Sequence, residues 1–370
     1  MILKNLELIN FRNYDTLTLN LNKNINIIYG NNGEGKTNIL ESIYVLALTK
    51  SHRALHNADL IQKEKENALI KGTILNDLSY NLEIALTKTK KQVRIDNNQV
   101  TKLGDYISKM NIIIFYSEDL DLIRGFPSHR RKYLNLELSQ ISKNYYNTVN
   151  DYNKLLKIRN DYLKKINNKE EINQSYFDVL TDYLVEKSIF IYQMREKYIN
   201  KLNEICPNIY KDITGDSNFL IKYLPTINLQ NQDKEMIKAI LKKELTNNLE
   251  KEIKLKTTLF GPHRDDFDFC LNNQSLKTYG SQGQQRVAVL TLKLAEIQIF
   301  KDYKKNNPII LLDDVFSELD HQKKNNLLKY IDSGMQVIIT TTDLDNIDEK
   351  IKKNAKLIQV KDGKIVEEVN

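Results

Sequence analysis

Apolar and polar positions alternate from the start of the chain: Leu3, Leu6, Leu8 and Ile9, then Leu17, Leu19 and Leu21. A period near two predicts strands, and the continuous run Ile25-Asn26-Ile27-Ile28-Tyr29 predicts a buried one. From Asn38 to Ala47 the apolar residues recur at helical spacing, and this helix ends near the polar cluster Thr49-Lys50-Ser51-His52-Arg53. Residues 68–100 read as a meander through Leu69–Ile74, Tyr80–Leu86 and Gln92–Ile95, closed by an Asp96-Asn97-Asn98 turn. Lys88, Lys90, Lys91 and Arg94 fall at a basic hairpin tip, by default a solvated loop and otherwise a contact for DNA phosphates. Ile112–Phe115 reads as a further buried strand.

A helical stripe then runs through Leu134, Leu138, Ile141, Tyr145, Val149, Tyr152 and Leu156, opened at Pro127-Ser128 with Ser128 as the candidate N-cap. A second stripe takes Phe177, Leu180, Leu184, Ile191, Tyr198, Leu202 and Ile205, with a turn-like Asn167–Glu171 between the two. These stripe residues are core of a helical hairpin whose longer arm, over 128–165, spans roughly 55 Å at 1.5 Å per residue. A strand at Phe219–Leu224 and a helix over about 233–255 follow. Mixed patterning returns at 256: a hairpin at Phe267–Leu271, a strongly apolar helix Val287–Phe300, a buried strand Ile309–Leu312 and a last strand Gln336–Thr340, with a short tail Lys352–Asn370. The expected fold is α/β, a head made of 1–127 and 256–370 with mixed sheets and flanking helices, interrupted by a mostly helical arm over 128–255.

Between the strand Ile25–Tyr29 and the helix that follows lies Gly30-Asn31-Asn32-Gly33-Glu34-Gly35-Lys36-Thr37. This fits G-x-x-x-x-G-K-[ST], the phosphate-binding loop of nucleoside triphosphatases, in the strand–loop–helix context it requires. Glycines let backbone N–H groups turn toward phosphate oxygens, and the helix N-terminus adds partial positive charge. Lys36 is placed for the β- and γ-phosphates of ATP and the Thr37 hydroxyl for Mg²⁺. The chain holds only 12 glycines and three fall in these eight positions, which argues against a chance match in a glycine-rich turn. A P-loop needs a carboxylate at the end of a neighbouring apolar strand; Asp313 is so placed for Mg²⁺, and Asp314 beside it to orient or deprotonate water. Arg12, in the Phe11-Arg12-Asn13-Tyr14 turn, is by default solvated and alternatively lies against the nucleotide. Ser281-Gln282-Gly283-Gln284-Gln285 opens the helix Val287–Phe300. Alone, Ser281 is an ordinary N-cap. With a P-loop in the same chain, Ser281 and the Gly283 amide at a helix start make a second phosphate site, one for the γ-phosphate held by another copy of the protein.

The 370 residues are 41% hydrophobic and 28% charged with a net charge of +7, a globular composition compatible with a polyanionic partner. Genomic base bias is the alternative reading of the richness in lysine, asparagine and isoleucine. Cys206 and Cys270 stand apart without metal-ligand spacing and read as buried thiols of a reducing compartment. No apolar run approaches the roughly 18 residues of a membrane span, and the strand-like N-terminus lacks a signal-peptide block; a soluble cytoplasmic protein is expected.

The P-loop, the helical insertion, the Ser281–Gln285 signature, the strand ending in Asp313-Asp314 and the Ser317-Glu318-Leu319-Asp320 loop together resemble the ABC-type ATPase heads of SMC-like proteins. Asn10–Tyr14, Lys50–Arg53, Glu118–Leu120, Pro127–Arg131 and Gly261–Asp266 extend the resemblance to the RecF family of bacterial recombination and gap repair, nearly end to end. Ser117 departs from the family pattern, which has proline there, and this bears on loop shape. Thr340-Thr341-Thr342 replaces the switch histidine of transporter ATPases, as in RecF-like proteins. The resemblance implies an ATP-dependent homodimer with each ATP between one P-loop and the other copy's signature. It implies binding of duplex DNA near gap junctions and action with RecR, and with RecO in the same pathway, to place RecA on single strands. Slow, DNA-stimulated hydrolysis would reopen the dimer, with Asp314, Lys36 and Ser281 in the catalytic set. A transporter subunit or a full SMC protein fits less well: the arm is too long for the first and too short for the second, and the tail leaves no room for a nuclease domain.

Overall fold

The computed structural model describes residues 1–229, 233–304, 306–315, 324, 327, 329–331 and 334–369. Along the chain it forms β1 (Ile2–Phe11), β2 (Tyr14–Asn20), β3 (Ile25–Tyr29), α1 (Lys36–Leu48), β4 (Asn67–Leu75), β5 (Ser79–Thr87), β6 (Lys91–Ile95), β7 (Asn98–Gln99), α2 (Leu103–Ile107) and β8 (Ile112–Phe115). Then come α3 (Asp121–Arg124), α4 (Pro127–Ile141), α5 (Lys143–Asn167), α6 (Gln174–Thr214), β9 (Phe219–Leu224), α7 (Lys234–Asn247), α8 (Leu249–Leu255), β10 (Asp266–Leu271), β11 (Gln274–Ser275) and α9 (Leu276–Tyr279). The chain ends with α10 (Gln282–Lys304), β12 (Ile309–Asp313), β13 (Val337–Thr341), β14 (Ala355–Lys361) and β15 (Lys364–Val369).

Two compact units result: Met1–Asp119 with Leu292–Asn370, and Leu120–Thr291. In the first, an antiparallel sheet has the order β2-β1-β4-β5-β6-β7. A β-bulge between Leu3 and Asn5 puts Leu3 and Leu6, three residues apart, on the same buried face. The second sheet has the order β15-β14-β3-β13-β12-β8, parallel except for β15 at its edge. Helix α1 packs on strands of both sheets, β1, β4 and β5 of one and β13, β12 and β8 of the other. It is therefore buried on all sides from Ile39 to Leu48 rather than amphipathic. Ala355–Lys361 and Lys364–Val369 form a hairpin in this sheet, with β14 paired to the P-loop strand β3. Its turn carries Asp362-Gly363, a strong hairpin signal between apolar runs.

The second unit holds helices α3 to α9 and the three-stranded sheet β11-β10-β9. The stripes are core as expected: Leu134, Tyr145, Tyr152, Phe177, Leu184, Tyr198 and Leu202 are buried. The single helix expected over 128–165 is two, because Ser142 takes an extended backbone and its hydroxyl accepts from Tyr145 N–H as an N-cap. Helix α4 is entered from Phe126 with Pro127 in its first turn, so Ser128 is not the cap. The 41 residues of α6 make it the long arm, about 60 Å at 1.5 Å per residue.

This unit is larger than the arm expected over 128–255. Ion pairs draw residues 252–266 to the helices: Arg159–Glu252 at 2.8 Å and Arg195–Asp265 at 2.8 Å, both buried, and the half-buried Arg130–Asp266 at 2.5 Å. With β10 paired to β9, they place the segment up to Thr291, signature included, in the helical unit.

Candidate functional site

In the first unit, β3 runs into the P-loop and the P-loop into α1. Gly30, Gly33 and Gly35 have φ of 152°, 86° and 110°. A Cβ on Gly30 would come within 2.2 Å of the Val360 carbonyl oxygen on β14, so the hairpin missed in sequence walls the loop. Lys36 Nζ donates to Gly30 O at 2.7 Å and Asn31 O at 2.8 Å, which sets its ammonium inside the curve of the loop. Burial pulls its pKa down, against the raising charges of Asp314, Glu34 and Asp313. Glu34 accepts from Asn31 N–H at 2.9 Å and its carbonyl accepts from Gly363 N–H at 3.2 Å, while Tyr14 OH donates to Gly35 O at 3.1 Å. Asn32 and Gly33 are exposed at the crest of the loop.

The parallel register brings Asp313 on β12 beside Thr340 on β13. Thr37 donates to Asp313 Oδ1 at 2.9 Å and Thr340 donates to the same oxygen at 2.7 Å. Burial raises the Asp313 pKa and the neighbouring Asp314 charge adds to this, while both hydroxyls oppose it. Asp314 has φ 55°, and its N–H donates to Thr340 Oγ1 at 3.1 Å. A hydroxyl beside one carboxylate suits Mg²⁺, which takes one or two protein oxygens and completes its shell from phosphates and water. Among the described residues, no group of three or more His, Cys, Asp or Glu is placed to hold a metal ion.

Arg12 is not simply solvated. Its Nε and Nη2 fork onto Glu41 of α1 at 2.8 Å each, and Nη1 donates to the Asp59 carbonyl at 2.6 Å. Glu41 is fully buried, accepts from Ser51 Oγ at 2.5 Å and lies 3.8 Å from Arg53. Burial would raise its pKa; the bonds from Arg12 and Ser51 and the charges of Arg12 and Arg53 outweigh it and lower the pKa. Arg53 also reaches Asn38 in the first turn of α1 at 3.3 Å. Glu41 was missed in sequence: an acid at a helix-core position is the visible signal. Two of the four basic hairpin residues are structural. Lys91 donates to the Thr49 carbonyl at the end of α1, and burial lowers its pKa to about 8; Arg94 pairs with Glu83 at 2.8 Å.

The signature lies in the second unit. Ser281 N–H donates to Gln284 Oε1 at 2.8 Å and Gln284 N–H donates to Ser281 Oγ at 3.2 Å, a reciprocal capping box that opens α10. Gln285 is buried, receiving Arg124 Nε at 2.7 Å and donating to Leu276 O at 2.8 Å. Ser281, Gln282, Gly283 and Gln284 are exposed. Among the described residues, a Cβ on Gly283 would meet only Ser281 Oγ, at 3.9 Å. The Ser317–Asp320 loop lies outside the described residues.

A family model described as RecF/RecN/SMC N terminal domain matches residues 2–366. The DNA replication and repair protein RecF of Staphylococcus carnosus (strain TM300) is 38% identical over 99% of this chain and 100% of its own length. A solved structure described as the recombination mediator protein RecF-ATP in the RecFOR pathway superposes with a TM-score of 0.92 at 31% identity, covering 100% of this chain and 97% of the other. An Smc head bound to the C-winged helix domain of ScpA shares the fold, with a TM-score of 0.56 at 15% identity over 100% and 98% of the two chains. The α/β ATPase-like fold and the end-to-end match agree, and the chain belongs to the RecF family of SMC-like proteins.

Proposed function

We propose that the protein is an ATP-dependent DNA-binding switch of recombinational gap repair, with a weak, DNA-stimulated ATPase. Two copies close head to head, each ATP held between the P-loop of one and the Ser281–Gln284 helix start of the other. The loop amides and Lys36 take the β- and γ-phosphates, and Arg12 steadies α1 beside them through Glu41. Thr37 and Asp313 would hold Mg²⁺, which neutralises charge on the phosphate oxygens when bound. Asp314 is the candidate base for the attacking water. The closed dimer holds duplex DNA near a junction with single strand, and hydrolysis releases it. RecR, with RecO and RecA in the same pathway, are the expected partners, and the cytoplasm the place of action; among the described residues no helix is long and apolar enough to cross a membrane.

Gly283 carries this reading. A glycine in a helix's first turn weakens it relative to alanine. Among the described residues, nothing comes near enough to require one. A close-approaching phosphate and partner surface does require one, and Tyr279, two residues before Ser281 and 71% exposed, suits an apolar rim for that surface. The name of the relatives supports DNA as the partner, as does the ATP-bound relative for the nucleotide. Light scattering after size-exclusion chromatography, with and without ATP–Mg²⁺ and duplex DNA, tests it. A dimer is expected only with ATP–Mg²⁺, and DNA retention only with the dimer. Nucleotide-independent DNA retention by a monomer would refute the switch.

A further inference from the structure

Thr340 opens the Thr340-Thr341-Thr342 strand end, and its hydroxyl touches both acids of the site. It is fully buried on β13, beside Asp313 in the parallel ladder. Its Oγ1 lies 2.7 Å from Asp313 Oδ1, 3.4 Å from the Leu312 carbonyl oxygen and 3.1 Å from Asp314 N. A hydroxyl has one proton to give and two lone pairs to offer. The short contact to a charged acceptor takes the proton. A lone pair remains for the Asp314 N–H. One side chain thus fixes the carboxylate of the first acid and the backbone of the second.

Two further observations point the same way. Asp313 Oδ1 sits between two hydroxyls, Thr37 from the P-loop helix and Thr340 from the next strand; neither bond uses Oδ2. Asp314 has φ 55°, the left-handed region that aspartate takes more readily than most residues other than glycine, and in that conformation its N–H meets the Thr340 hydroxyl. The neighbours Ile338 and Ile339 are buried and apolar, so a valine would serve the strand equally well, and a buried hydroxyl is costly unless bonded.

We infer that Thr340 is a positioning residue. It sets Asp313 for Mg²⁺ and holds the turn that aims Asp314, so metal affinity and hydrolysis share one support. This rests on the reading of Asp313 as the metal-side acid. The test compares Thr340→Val, which keeps shape and loses the hydroxyl, with Thr340→Ser, which keeps the hydroxyl, and with Asp313→Asn. Mn²⁺ binding to the ATP-bound protein is read by electron paramagnetic resonance, and kcat and the Mg²⁺ requirement are measured alongside. Removing the partner of a metal ligand typically costs about 10- to 100-fold in metal affinity, the loss expected for Thr340→Val, with a lower kcat and near-normal behaviour of Thr340→Ser. If circular dichroism shows Thr340→Val unfolded, Thr340→Ala carries the same comparison. Wild-type Mn²⁺ binding and kcat in the hydroxyl-less variant, or equal losses in Thr340→Ser, overturn the inference. If Asp313→Asn also leaves Mn²⁺ binding unchanged, the assignment of Asp313 itself falls.

Discussion

Gly283→Ala should stabilise the isolated chain and disable the dimer, two effects of opposite sign from one methyl group. The residue is second in α10, and among the described residues the added Cβ meets only Ser281 Oγ at 3.9 Å, so no clash there offsets the gain in helix propensity. In a first turn that gain is about 0.5 kcal/mol, the low end of the glycine-to-alanine range. The unit Leu120–Thr291 has 172 residues (291 − 120 + 1). For a domain of that size 1 kcal/mol moves Tm by about 2–4 °C, so a rise of about 1–2 °C is expected. At a packed interface an extra methyl costs about 1–3 kcal/mol. A two-fold dimer carries it twice, so ATP-dependent dimerisation should weaken by at least roughly 30-fold, from about 2 kcal/mol in total. Differential scanning calorimetry without nucleotide reads the first effect and analytical ultracentrifugation with ATP–Mg²⁺ the second. ATP binding to the monomer should not change. Wild-type dimerisation of the variant would show that nothing closes on Gly283, and a lower Tm would show that the residue has an intrachain role.

Further outcomes are expected. Lys36→Ala should remove most ATP affinity in isothermal titration, because Lys36 is the cation inside the loop. Glu41→Gln should lower stability by roughly 2 kcal/mol in urea titration, less than for a fully buried pair because Arg12 and Arg53 are partly exposed. His263 accepts from Tyr152 OH at 2.5 Å through Nδ1 and donates to the Thr258 carbonyl at 3.0 Å through Nε2, the bonding of a neutral ring. Burial lowers its pKa from 6.5 to about 4. The unfolded chain therefore binds this proton first on acidification, and stability should fall between pH 6.5 and 4, by about 3 kcal/mol in all. Denaturant melts across that range should show His263→Gln losing less with acid than the wild type; equal losses would refute the assignment.

What was legible in the sequence was local chemistry. A P-loop needs its glycines, lysine and threonine in one short stretch, so Gly30–Thr37 could be read with its flanking strand and helix. The capping box of Ser281 and Gln284 is equally local, three residues apart. Arg12–Glu41 and Thr340–Asp313 join residues 29 and 27 positions apart, and only the strand register and the seating of α1 decide that they meet. The same holds for Gly30 against Val360, which needs β14 beside β3. The extent of the helical unit was hidden for another reason. Periodicity locates apolar faces, whereas Arg159–Glu252 and Arg195–Asp265 tie the segment after 252 to the helices through buried charge. The break at Ser142 was readable, since a serine three residues before Tyr145 is an ordinary N-cap, but the apolar stripe ran through it unbroken.

The central claim, a site shared between copies, is tested most directly by mixing two variants. Lys36→Ala lacks a working P-loop and Ser281→Arg lacks a working signature, but a pair made of one of each retains one complete site. Single-turnover ATP hydrolysis is measured for each variant alone and for the mixture, at protein concentrations where the wild type dimerises. The account predicts that Ser281→Arg alone binds ATP without hydrolysing it, that Lys36→Ala alone does neither, and that the mixture hydrolyses ATP. Wild-type hydrolysis by Ser281→Arg alone would contradict it, because one chain would then hold the whole site.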